Sequence, residues 1–195
     1  FWAAFPCSSI HFLSCKSRDV KREFMIPLHV LRIYVLRFTY LQLMSIREEL
    51  LKQATVTTTI DVRFAETDAM GVAHHAAYVI WLETGRVAWL QRIGVPYTEI
   101  AAAGYHFAVT GLHVQYRSSA AFGDTVRLVS RMNKLRSRQI DFGYELYQAG
   151  SDVLLAAATS EHICVDLAGK MTRLPVVYLQ RIEEGVLQLA TALAS

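Results

Sequence analysis

One stretch constrains the fold more than any other: YVIWLETGRVAWLQRIG, residues 78–94. It contains no proline and, wound as a helix, is apolar around most of its circumference. Only Glu83 and Arg86, three residues apart and so on one side, form a polar stripe, which reads as a solvent-facing pair. A helix with so little polar surface belongs in an interior. At about 1.5 Å per residue it is roughly 25 Å long, so long elements are needed to cover it. Gly94 and Pro96 end it, and PYTEIAAAG (96–104) reads as a short helical turn closed by Gly104.

The covering material follows directly. After Gly104 the apolar period drops from helical to alternating. Residues 105–117, 125–136, 138–150 and 153–166 read as four long strands, and 55–65 (TVTTTIDVRFA) as one strand before the helix. Arg127, Arg131, Asp141 and Glu145 alternate with apolar partners and are expected on the outer face. The turns are short, SSAAFGD (118–124) among them, so neighbouring strands should be antiparallel. After Pro175, residues 176–193 read as an exposed amphipathic helix. The fold class expected is α+β: one long antiparallel sheet wrapped around a buried helix.

Charge separates the N-terminal segment from the body. Residues 1–54 hold eight Lys/Arg and four Asp/Glu, a net +4, whereas 55–195 hold twelve and thirteen, a net −1. A near-neutral body with no basic, aromatic-studded stripe predicts no nucleic-acid partner. Residues 26–44 are apolar, but His29, Arg32 and Arg37 interrupt them, so no membrane span is expected. Residues 1–43 are expected to be a poorly informative extension ahead of a start at Met44, or an organellar targeting leader. A single domain over 44–195 with the 176–193 helix at its end is expected, in the cytoplasm unless the leader is genuine. Cys7, Cys15 and Cys164 are too few and scattered for a disulfide framework or a zinc site.

The chemistry concentrates in ETDAMGVAHHAAY, residues 66–78, between the first strand and the helix. Asp68 follows the strand, and His75 stands at the helix start. Backbone N–H groups at a helix start lack intrahelical acceptors and carry partial positive charge. A carboxylate facing such donors makes an acid, base or nucleophile beside an oxyanion hole, which is what acyl transfer needs. Gly71 allows the connection to turn sharply. His74 and His75 diverge from adjacent positions and have no suitably spaced third ligand, so a metal site is not expected. There is no nucleophile elbow, phosphate loop or dinucleotide fingerprint. His106, His113 and His162 fall in strands and read as packing or solvated positions; Glu83 reads as a partner for Arg86, with an alternative catalytic acid as the other reading.

The segment VRFAETDAMGVAHHAAYVIWLETGRVAWLQRIGVPYTEI resembles the 4-hydroxybenzoyl-CoA thioesterase-like hotdog enzymes, in their short-chain acyl-CoA branch. The matching residues are Asp68, Gly71, Val72, His75, Tyr78, Trp81, Glu83, Arg86, Trp89, Tyr116, the FGD turn at 122–124 and V-D-x-x-G-K-x-x-R-L-P at 165–175. The resemblance covers roughly residues 56–175 and implies a hotdog fold. It also implies acyl-CoA thioester hydrolysis to free acid and CoA without a cofactor, in a homodimer or homotetramer with its active sites at the subunit interface. Asp68 becomes the nucleophile or general base, the His75 N–H the oxyanion donor, and Gly71 the residue shaping the loop. Tyr78, Trp81, His74 and Ala77 become candidates for the substrate pocket. The chain departs from the pattern at His74 (usually aromatic), Ala77 (usually Asn) and Ser119 (usually Pro), and substrate preference is expected to reside in the AHHAAY ending, at His74 and Ala77. Two other readings remain at this point: an enoyl-thioester hydratase of the same fold, and a non-catalytic acyl-CoA sensor.

Overall fold

The computed structural model describes residues 28–194. The chain divides into two compact units, Phe1–Thr39 and Tyr40–Ser195. In the first, the described residues belong to helix α1 (Leu28–Gln53), with Leu36 and Phe38 exposed. No helix among the described residues is long and apolar enough to cross a membrane.

The second unit holds the remainder of α1 and then β1 (Thr55–Asp61), a 3-10 turn (Phe64–Glu66), α2 (His75–Arg92) and α3 (Tyr97–Ala102). Strands β2 (His106–Tyr116), β3 (Thr125–Leu135), β4 (Gln139–Gln148) and β5 (Leu154–Val165) follow, and α4 (Val176–Ala194) ends the chain. All five strands form one antiparallel sheet in the order β1-β3-β4-β5-β2. The β3–β4–β5 meander forms the middle of the sheet, and β1 and β2 lie at opposite edges.

Alternation decides which side chains meet α2. Val126, Leu128, Ser130 and Met132 of β3, Ile140, Phe142, Tyr144 and Leu146 of β4, and Ala158, Ser160, His162 and Cys164 of β5 are buried. The opposite face carries charge pairs, Arg131 with Glu145 at 3.1 Å and Lys134 with Asp141 at 3.6 Å. The Arg127 guanidinium sits 4.5 Å from the Tyr147 ring centre. From α2, Trp81, Leu82, Trp89 and Leu90 enter the core, and the Trp89 indole donates to the Ala54 carbonyl at 2.8 Å. Burying a leucine as completely as Leu90 adds about 2 kcal/mol.

Close packing also explains two glycines. A Cβ on Gly85 would collide with Ser130 Oγ and stand 2.6 Å from Leu128 Cδ2, so only glycine lets α2 press this closely on β3. A Cβ on Gly185 would strike the Ile93 carbonyl, which brings α4 against the end of α2. Tyr178, Ile182, Val186 and Leu189 form the buried face of α4, while Arg181 reaches Glu99 and the Gly94 carbonyl.

Helix α2 begins at His75, as expected, and the His74 side chain caps it. One expectation needs correction. Glu83 and Arg86 do not form a solvent-facing pair. Glu83 is exposed, but Arg86 is only 9% exposed, turned inward and bonded to His162. Burial on the strand side captures its guanidinium, so a stripe inferred from helical spacing fails.

Candidate active site

The connection from β1 to α2 is a small folded loop held at several points. Asp68 N–H donates to the Val72 carbonyl at 2.9 Å, Gly71 N–H to the Asp68 carbonyl at 3.0 Å, and Met70 N–H to Asp68 Oδ1 at 2.8 Å. Gly71 takes a φ of 76°, in the left-handed region where glycine is strain-free. The return limb is fastened by His74 N–H to the Glu66 carbonyl and Ala73 N–H to the Ala120 carbonyl, each at 2.7 Å.

Glu66 anchors this loop from inside. Its buried carboxylate accepts from the Arg63 backbone N–H at 2.9 Å, the Arg63 guanidinium at 2.7 Å and the Trp81 indole at 3.1 Å. Burial would raise the Glu66 carboxyl, but these donors outweigh burial and hold it below its ordinary value. Its contribution to stability is therefore present above the ordinary carboxylate range and is lost on acidification below it. Glu66 was not singled out from sequence, because one acid in a polar loop gives no sign of being buried.

The first turn of α2 is selectively occupied. The Ala76 N–H donates to His74 Nδ1 at 3.2 Å, and the Ala77 N–H to the His74 carbonyl at 2.9 Å. The His75 N–H finds no acceptor among the described residues. Likewise, of the Asp68 carboxylate only Oδ1 is engaged. Both groups border one open cleft of about 350 Å³, lined by Asp68, Ala73, His75, Tyr78, Tyr116, Arg117, Ser118 and Ser119. The Tyr116 hydroxyl donates to the His75 carbonyl at 3.0 Å, tying the end of β2 to the helix start. The Tyr78 ring meets the Tyr116 ring edge-on at 5.2 Å.

The expected site residues therefore separate. Asp68, His75 and Tyr78 come together in the cleft, and Gly71 turns the loop beside it. Trp81 is buried against Glu66 rather than lining the cleft. His74 and Ala77 face a different depression, shared with Ala65, Glu66, Thr67, Ala76 and Ile80. His74 acts there as the helix cap. Tyr116, one of the residues matched in the family resemblance, lines the cleft together with Ser118 and Ser119; strand β2 brings them some forty residues back to α2. Among the described residues no three His, Cys, Asp or Glu side chains cluster as metal ligands would.

An antiparallel sheet packed on one buried helix is the hotdog arrangement. Residues 62–186 match the model of the thioesterase-like superfamily, and the chain belongs to that family. It is 33% identical over 107 residues, 55% of this chain and 77% of the other, to YneP of Bacillus subtilis, which is named as a candidate acyl-CoA thioesterase. The acyl-CoA thioester hydrolase YbgC of Escherichia coli is 27% identical over 107 residues, 55% of this chain and 79% of its own. The solved DHNA-CoA thioesterase of Staphylococcus aureus superposes with a TM-score of 0.63 at 27% identity, covering 72% of this chain and 93% of that one. The chain is thus a thioesterase of the α+β hotdog fold.

Proposed function

We propose that this enzyme hydrolyses an acyl-CoA thioester to free acid and CoA at the Asp68–His75 cleft. The observation that carries this reading is the unpaired His75 N–H at the first turn of α2, bordering the same cleft as the half-free Asp68 carboxylate. A thioester carbonyl oxygen set against that N–H meets a donor that needs no reorganisation, reinforced by the helix dipole. A donor of this kind is worth about 3 kcal/mol in the transition state.

Asp68 supplies the other half of the reaction. Its free oxygen either attacks the carbonyl carbon, expelling CoA thiolate and leaving an acyl anhydride for water to cleave, or takes a proton from an attacking water. In both routes water ends in the acid and the proton balance restores the carboxylate. The Met70 N–H bond to Oδ1 holds the carboxylate in place, and Gly71 sets the path of the loop beneath it. Single turnover in isotopically heavy water separates the routes: label entering Asp68 marks the nucleophile. Arg117, exposed at the cleft rim, is placed to meet CoA phosphates.

A second copy of the chain completes the arrangement. Strand β2 is a long sheet edge with Val109 and Leu112 exposed, and α2 exposes Val79, Ile80 and Val87. An unprotected edge beside an apolar helix face favours pairing with its own kind. Light scattering on the purified chain is expected to give a dimer or a tetramer; a monomer at micromolar concentration would remove this part of the reading.

A further inference from the structure

The first turn of α2 presents the N–H groups of His75, Ala76 and Ala77, and His74 takes up two of them. Its carbonyl accepts from the Ala77 N–H at 2.9 Å, and its ring Nδ1 accepts from the Ala76 N–H at 3.2 Å. Among the described residues, that leaves the His75 N–H for the cleft. The peptide plane between His75 and Ala76 is held at both ends. Tyr116 Oη donates to its carbonyl at 3.0 Å, and its N–H meets the His74 ring. The free donor belongs to the residue that opens this clamped plane.

The ring holds its end in one charge state only. An accepting Nδ1 carries no proton, so His74 is the neutral Nε2–H tautomer; an imidazolium has protons on both nitrogens and nothing to accept with. Such a cation would also face the positive end of the helix dipole. Histidine charge ordinarily changes between about pH 5 and 8, and His74 is exposed to solvent. Charged neighbours come from each element around it. Glu66, in the 3-10 turn, is held ionised below its ordinary value by Arg63 and the Trp81 indole. Asp68 stands in the loop, Arg117 follows β2, and the His75 ring lies 4.0 Å away, tilted by 37°. Burial raises the Tyr116 hydroxyl, which therefore keeps its proton and its hold on the His75 carbonyl while the His74 end lets go.

We infer that His74 is a positioning residue of this active site: its neutral ring reserves the Ala76 N–H, so that the substrate oxygen meets the His75 N–H on a fixed helix start. Protonation frees the Ala76 N–H as a second, misplaced donor and loosens the turn. The inference rests on the thioesterase reading and adds pH control to the same site. His74 acts through the helix and not on the substrate, because its ring borders the depression shared with Ala65, Glu66 and Thr67. It is also a position at which this chain departs from the family pattern.

The test measures kcat and KM of the full chain between about pH 8 and about pH 5. The substrate is whichever of acetyl-CoA, hexanoyl-CoA and benzoyl-CoA is hydrolysed fastest, with released CoA read by chromatography. Wild-type kcat is expected to fall about fivefold with KM little changed, equivalent to losing a cap of about 1 kcal/mol in the transition state. His74→Asn, whose side-chain oxygen accepts at every pH, should lose that fall. His74→Ala should begin about fivefold lower at the alkaline end and then stay level. His75→Gln keeps the backbone donor and should keep the fall, which separates the two neighbouring rings. Any fall belonging to Asp68 is common to all four proteins and cancels in the comparison. Nitrogen NMR of the histidine-labelled chain should find the Nε2–H tautomer of His74 at the alkaline end.

A wild-type kcat that stays level or rises on acidification overturns the inference. So does a fall that persists in His74→Asn or vanishes in His75→Gln, an undiminished rate in His74→Ala, or an Nδ1–H ring. These outcomes leave hydrolysis itself standing, whereas no hydrolysis of any acyl-CoA at any pH defeats the thioesterase reading beneath.

Discussion

Two polar clusters border α2, and they differ in what satisfies them. The loop before the helix is exposed, and its backbone is bonded almost throughout: Asp68, Met70, Gly71, Ala73 and His74 all donate to nearby acceptors. What it leaves free are one Asp68 oxygen and the His75 N–H, groups that water can solvate until a substrate displaces it. The cluster at Arg86, His162, Tyr144 and Ser160 is buried, and there a free group cannot be solvated. An idle polar group at the surface costs little and can react; one in the interior calls for a partner. That contrast is why we propose the chemistry at the first cluster.

The comparison breaks most visibly at Asp68. Asp68→Asn keeps an oxygen for the Met70 N–H but loses the charge, so kcat/KM is expected to fall at least about a thousandfold. Thermal unfolding should hardly move, because the residue is exposed. A variant that still turns over normally would end the catalytic assignment.

The interior cluster should respond to pH instead. Burial, then the Arg86 charge, depresses His162 from its ordinary value near 6.5 to about 4. Between those values the unfolded chain binds a proton that the folded chain refuses. Stability therefore falls as pH is lowered through that window, by about 3 kcal/mol in all, and this residue contributes no slope above it. Denaturant unfolding at neutral pH and at steps down to pH 4 measures the slope, and His162→Gln should flatten that part of it. An unchanged slope would mean that the ring is not held neutral. Burial pushes the Tyr144 hydroxyl up to about 12, so it stays protonated throughout and can donate to Ser160.

Smaller effects sharpen the picture. Gly85→Ala places a methyl group against Ser130 Oγ and Leu128, and a destabilisation of about 1–3 kcal/mol is expected from a lowered melting temperature. If melting is unaffected, α2 does not sit this close to β3. His74→Ala removes a helix cap and should cost about 1 kcal/mol, whereas His74→Asn, which can still accept from the Ala76 N–H, should recover most of it. Equal losses in both variants would show that the ring does something other than cap.

Much of the architecture was legible without coordinates. A helix apolar nearly all round demands a cover, and four alternating runs with short turns supply one antiparallel sheet; the elements so read begin and end within four residues of those observed. Asp68, Gly71 and His75 stood out because the donor-rich start of a helix is a local property of the chain. Glu66 and the inward turn of Arg86 did not. Each depends on a partner far away in sequence: Trp81 for Glu66 and β5 for Arg86.

The amino-acid sequence by itself determined the buried helix, its antiparallel cover and the acid-to-helix connection, because periodicity, turn residues and unpaired helix-start donors are short-range effects. Tertiary structure alone decided that His74 caps rather than contacts the cleft, that Ala77 and Trp81 face elsewhere, and that Arg86 is an interior cation without a counter-anion among the described residues. Those outcomes follow from how far α2 is rotated and pressed against the sheet, which is set by packing at Gly85 and Ser130 and not by any local pattern.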